Sequence, residues 1–234
     1  MKRKIILAGA KSAFAPPGII LMITFFAFGA MVRALEFPLA LGIGLTLTTF
    51  AIPSQIVLLD EVSRGAAVLT TIIAVTLTAI RLFPMTMSLL PILRTPTTPR
   101  WQQYLLSHFI AVSVWVQSMI SLPSLEREDR VPFYIAHCLT IISLTVATTI
   151  AGFYVAQSLP ALYLAAALII TPLYFFLSLF RTATRKAEKY ACLFGTVLAI
   201  PMMIHIPDYA LILAGVIGGS MAYCLDRLIS NSRK

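Results

Sequence analysis

Apolar residues run along this chain in blocks near twenty residues long, separated by short polar connections. Eight blocks can be marked: Phe14–Leu35, Pro38–Leu59, Ala66–Leu93, Trp101–Leu122, Val131–Ala156, Pro160–Phe180, Tyr190–Ile206 and Tyr209–Leu225. A helix needs about twenty apolar residues to cross a hydrocarbon core roughly 30 Å thick, so the pattern predicts membrane spans. The third block exceeds one crossing, which predicts a tilted or broken helix. The last two are short and parted only by Pro207-Asp208, as in a tight hairpin. The expected architecture is therefore all-α: a polytopic integral membrane bundle of seven or eight transmembrane helices with proline-broken segments. Seven results if one block is re-entrant.

Composition fits that pattern. The chain is 59% hydrophobic and 12% charged, where a soluble domain carries about 25% charged residues. No stretch outside the blocks is long enough for a second domain, so residues 1–234 are expected to form one transmembrane domain. The opening MKRKIILAGAKSAFA imitates a signal peptide, but Lys11 interrupts its short apolar core. Residues 1–13 are read instead as a basic, amphipathic cytoplasmic tail.

The net charge of +9 is not gathered into a nucleic-acid-binding patch. With the N-terminus inside, fourteen of the eighteen basic residues fall in internal connections, three (Arg33, Arg94, Arg100) outside and Arg81 within the membrane. That asymmetry predicts both termini in the cytoplasm. Cys138, Cys192 and Cys224 lie inside apolar blocks without paired or metal-type spacing, so they read as small buried hydrophobes. No cofactor or metal site is expected. No H-E-x-x-H, G-x-S-x-G or phosphate loop occurs, and no enzyme is predicted.

Polar residues inside apolar blocks carry the candidate chemistry. Arg81 sits near the middle of the third block, with Pro84 and Pro91 after it. An arginine at that depth is costly without a partner and marks a site by default, while each proline is expected to bend or break the helix. Helical spacing puts Thr71, Thr78, Arg81, Met85 and Ser88 near one face. In the second block Pro53 is expected to break the helix, followed directly by Ser54-Gln55, whose side chains suit freed backbone groups or a polar substrate. In the fourth, Ser113, Gln117 and Ser121 form a stripe. His108 is the candidate proton relay, because histidine changes charge near neutral pH, and His137 is second. No carboxylate lies near the centre of a block. Gly215 and Gly219 have the spacing that lets two helices approach closely.

Four pieces in one order resemble the AzlC-type large subunit of branched-chain amino-acid exporters: Ala51-Ile52-Pro53-Ser54-Gln55; Arg81 with Ser88, Pro91 and Arg94; Leu159-Pro160-Ala161-Leu162-Tyr163; and Ile206-Pro207 with Ile212-Leu213-Ala214-Gly215. The chain departs from that family at Ala79, Leu82 and Met85. It departs again at Ala111-Val112-Ser113, where the family has an acidic pair, so it resembles a divergent member. The resemblance implies a secondary transporter of the bacterial plasma membrane that exports branched-chain amino acids, together with a small multi-span partner of the AzlD type. Arg81, Ser54, Gln55, Thr78 and Ser88 are the expected substrate-binding residues. The alternative is a non-transporting assembly or interaction subunit in which Arg81 is purely structural.

Overall fold

The computed structural model describes residues 2–95, 98–155, 186–206 and 210–231, with isolated positions between 158 and 177. Most of the sixth apolar block and the Pro207-Asp208 connection lie outside the described residues. The chain divides into two compact units, Met1–Thr171 and Pro172–Lys234. The described regular structure is helical throughout. The first unit contains α1 (Lys2–Ser12), α2 (Pro16–Ala34), α3 (Leu39–Thr48), α4 (Ile52–Ser63), α5 (Val68–Ala79), α6 (Leu82–Leu93), α7 (Arg100–His108), α8 (Val112–Ser121) and α9 (Arg127–Val155). The second contains α10 (Lys186–His205) and α11 (Ala210–Asn231).

Three described helices, within α2, α9 and α10, are long and apolar enough to cross a membrane, and five spans result if two bent pairs each count as one. Those pairs are α5 with α6, bent by 48°, and α7 with α8, bent by 116°. The second bend has the geometry of a broken span or a re-entrant loop.

The heart of the first unit is the packing of α2 on α9. Gly18 approaches Ile141, Gly152 approaches the Phe26 carbonyl, and Gly29 approaches the Thr149 carbonyl. From the Gly18–Ile141 contact to the Phe26–Gly152 and Gly29–Thr149 crossing, positions advance along both helices, so the two run in the same direction, as the first and fifth predicted blocks should. A Cβ at Gly29 or Gly152 would run into the facing backbone. In lipid there is little hydrophobic gain from pairing helices, and close backbone approach through small residues takes its place. Phe25 and Phe28 fill the flank of this seam, both fully buried.

Residues 2–12, expected as a tail, are folded as α1 and packed on α9, with Gly9 against the Phe133 carbonyl. Ser12 Oγ donates to the Gly9 carbonyl at 2.6 Å and lies 2.7 Å from Nδ1 of buried His137. That places His137 in a helix-to-helix contact.

Prolines sit differently from the sequence expectation. The second block breaks at Thr49–Ala51, and Pro53 lies in the first turn of α4. The third breaks at Ile80–Arg81, and Pro84 lies in the first turn of α6. In both places proline stands where its missing N–H costs the helix nothing. Pro91 and Pro201 are carried inside continuous helices. In the second unit, Gly218 rather than Gly215 or Gly219 makes the close contact. A Cβ there would stand 2.7 Å from the Gly195 nitrogen, while Gly215 and Gly219 face open space.

Replacing Gly152 with leucine is expected to abolish the folded, monodisperse protein in detergent size-exclusion chromatography. Gly44, with nothing within 4 Å of an added Cβ, should accept alanine with a gain of about 0.5–1 kcal/mol from helix propensity. Equal tolerance at both positions would refute the packing assigned to α2 and α9.

Candidate functional site

Two breaks in the helices of the first unit come together. At the first, α3 ends at Thr48 and α4 begins at Ile52. Phe50, between them, has φ 40°, a conformation that costs a bulky residue free energy. The break is held because the Phe50 ring is buried and stacked on Phe25 at 5.8 Å between centroids. At the second, α7 ends at His108 and α8 begins at Val112, with no proline or glycine between them. His108 Nε2–H donates to the Leu47 carbonyl at 2.9 Å and so clasps one break to the other. Phe50, Ile52, Ala111 and Val114 belong to the same buried cluster.

Breaking a helix frees carbonyls on one side and N–H groups on the other. The carbonyls here are largely taken by side chains. His108 donates to Leu47 O at 2.9 Å and the buried Tyr134 hydroxyl to Leu106 O at 3.0 Å, while Gln55 Nε2 adds a second donor, at 2.9 Å, to Leu45 O, which already accepts from Thr49 N. Away from these two breaks, Arg130 donates to Leu125 O and Ile92 O at 3.1 and 3.2 Å, tying α9 to the end of α6. On the N–H side, the first helical bonds of α4 and α8 are donated by Gln55 N and Trp115 N, and neither helix has a side-chain cap.

Three buried side-chain atoms in these first turns have no hydrogen-bond partner among the described residues: Ser54 Oγ, Gln55 Oε1 and Ser113 Oγ. The cause is positional. Elsewhere in the chain helical hydroxyls bond back to a carbonyl three or four residues earlier, as Thr24, Thr46, Thr78 and Thr140 do. Ser54 and Ser113 follow a break, where the residue four earlier (Phe50 or Phe109) is not helical, so no carbonyl lies beneath them.

The other expected site residues are placed differently. A short turn through Gly65 (φ 68°) returns α5 along α4. With twelve residues in each helix, Thr78 and Arg81 come level with the start of α4. Thr78 is half-buried and bonded to Ala74 O. Arg81 is exposed at the start of α6 and makes no hydrogen bond or ion pair with another described residue. The 48° bend between α5 and α6 interrupts the face expected to run from Thr71 to Ser88. Ser88 is exposed, donates to Met85 O at 2.9 Å and accepts from Trp115 Nε1 at 2.9 Å, which ties α6 to α8. His108, expected as a proton relay, is a structural donor at Leu47. Ser54 and Gln55 sit together in the first turn of α4, and the first break reaches the second through the His108–Leu47 hydrogen bond. Ser113 is the residue that the sequence reading left out of its site. Its stripe along α8 was visible, but nothing marked the break preceding it. No group of three or more potential metal ligands occurs among the described residues.

An all-helical architecture with apolar helices of spanning length and buried irregular backbone is that of a helical membrane protein. The chain belongs to the AzlC protein family, whose profile matches residues 16–159 and so covers α2 to α9, both breaks included. That family is associated with branched-chain amino-acid transport, and its members are transporters rather than enzymes. No curated protein and no solved structure matches the chain.

Replacing His108 with leucine would leave the Leu47 carbonyl without its donor and should lower stability by about 1 kcal/mol. His108→Gln, which keeps a donor of similar reach, should melt close to the parent protein. If both variants melt like the parent, the clasp does not hold the two breaks together.

Proposed function

We propose that the protein is a secondary transporter of the bacterial plasma membrane that exports small amphipathic solutes, with leucine and valine as its first substrates. The observation that carries this reading is the clasped pair of helix breaks. Unpaired Ser54 and Gln55 groups in a buried setting are costly to leave unmade unless a ligand or water completes them. Family membership supplies the substrate class. Arg81, level with these residues and without a partner among the described residues, is the cation that draws a carboxylate towards them. Thr78 lines the approach beside it, and the Ser88–Trp115 contact braces α6 against α8. The apolar side chain of the substrate would meet Met85 and neighbouring aliphatics.

Both termini are placed in the cytoplasm on the charge asymmetry, and transport would draw on the membrane potential or the proton gradient. The exposed apolar flank of α5 and α6, including Val68, Ile72 and Phe83, supports association with lipid and with a small subunit of the AzlD type. Native function is assigned to that pair.

Efflux of labelled leucine and valine from loaded vesicles containing the chain and such a partner tests the reading. The parent should export both. Arg81→Ala should lower the rate at least tenfold with normal expression. Arg81→Lys should fall between the two, because a point charge does not replace a bidentate guanidinium contact. A parent that moves neither amino acid sinks the substrate assignment, and unaltered efflux by Arg81→Ala removes Arg81 from the site.

A further inference from the structure

The 116° bend between α7 and α8 fits either a broken span or a loop that leaves the membrane where it entered. Contacts at the two ends of the pair decide between them. Arg130, in the first turn of α9, donates to Leu125 O at 3.1 Å and to Ile92 O at 3.2 Å. One side chain therefore joins the start of α9, the end of α6 and the residue after the 3₁₀ turn Leu122–Ser124 that closes α8. Helix α6 also packs on that turn. Only residues 94–99 separate α6 from α7. Within them Thr95 N donates to Thr98 Oγ1 at 2.8 Å, and Thr98 N donates to Thr95 O at 3.0 Å. So α7 begins, and α8 ends, at the end of the unit where α9 begins. Helix α7 has nine residues and α8 ten, about 15 Å each, which is half of a hydrocarbon core roughly 30 Å thick. The pair can reach mid-depth and return. It is too short to cross and return.

Helix α3 arrives from the other end. It follows α2 after residues 35–38, and a Cβ at Gly42 would stand 3.3 Å from Val32, near the end of α2, and 3.7 Å from Thr149, towards the end of α9. Its Leu47 carbonyl then accepts from His108 Nε2 at 2.9 Å. We propose that α7 and α8 form a re-entrant loop that enters and leaves the membrane on the face carrying α1 and the start of α9, and that its His108 tip meets α3 descending from the opposite face. The surroundings suit such a loop. Irregular backbone at depth must be covered by protein, and α8 packs on α2 and α6 with Val112, Ser113, Val114, Val116 and Ser118 buried. At the mouth, Trp101 and Tyr104 are exposed in the first turns of α7, and such rings favour the headgroup level. The fourth apolar block is then the one that does not cross. Arg94 and Arg100, placed outside when every block counts as a crossing, join the exposed Arg3, Lys4 and Lys11 on the α1 face. This topology holds whatever the protein carries. On the transport reading, the His108–Leu47 contact parts a segment entered from one face from a segment entered from the other, which is the placement a gate requires.

Side-specific cysteine labelling of the full chain tests this, using a membrane-impermeant maleimide on right-side-out and inverted vesicles. Cys192 and Cys224 are first replaced by alanine, and the buried Cys138 is kept as the unlabelled background. Single cysteines are then introduced as Lys4→Cys, Glu36→Cys, Arg100→Cys and Ser124→Cys, all at exposed positions. The cysteines at 4, 100 and 124 should label from one side, and the cysteine at 36 from the other. Pro99→Cys and Pro123→Cys, exposed next to two of these positions, should repeat their neighbours' sides and carry the test if Arg100→Cys or Ser124→Cys aggregates. Labelling of 100 and 124 from opposite sides would make α7 and α8 a span and overturn the proposal. Labelling of 36 from the same side as 4 would overturn the opposed entry of α3. A protein that labels as expected but exports neither leucine nor valine would keep this topology and lose the substrate assignment.

Discussion

The backbone hydrogen-bond balance at two interrupted helices governs this structure. A chain at bilayer depth has no solvent to satisfy freed backbone groups, so each interruption must be completed by protein or by something bound. Here the balance is lopsided. Carbonyls released near the breaks are met by donors on other elements, with His108 reaching back to α3 and Tyr134 reaching from α9 to α7. The Ser54 and Ser113 hydroxyls and the Gln55 amide oxygen, at the starts of α4 and α8, have no partner among the described residues. Phe50 accepts a strained backbone at the first break, held by burial against Phe25. Strain kept in place by surrounding packing is commonly stored where a protein does its work.

Rigid support for these breaks comes from α2 and α9. Their glycine-to-backbone contacts leave no slack between the axes, and α2 packs against both α4 and α8. Arg130, near the start of α9, reaches Ile92 O at the end of α6. The bend between α5 and α6, the break before α4 and the break before α8 are thus referred to one stiff pair of helices. Such a frame can hold polar groups in fixed positions.

Much of this was legible in the sequence. Apolar blocks and sparse charge specified a helical membrane protein, and Ser54-Gln55 beside Pro53 located the first break to within a few residues. Proline misled by a small, systematic amount: the interruption precedes it, because proline is easily housed in the first turn of the following helix. The second break was invisible, since Phe109-Ile110-Ala111 contains neither proline nor glycine and is fixed only by tertiary contacts. Ser113 was missed for that reason. His108 drew attention through its chemistry, yet its position assigns it a clasp that periodicity along one helix cannot disclose. Gly215 and Gly219 had the spacing of a packing motif, but the register of α11 turns Gly218 inward.

The AzlC family match over residues 16–159 spans both clasped breaks. The central claim is that the helix starts at Ile52 and Val112 are completed by substrate rather than by protein. Hydrogen–deuterium exchange of the full chain, followed in peptides spanning 50–56 and 110–115 with and without saturating leucine, addresses it most directly. The account predicts fast exchange in the free protein for N–H groups ahead of the first helical bonds, and strong protection once leucine is bound. Slow exchange at both helix starts in the free protein, unchanged by leucine, would contradict it.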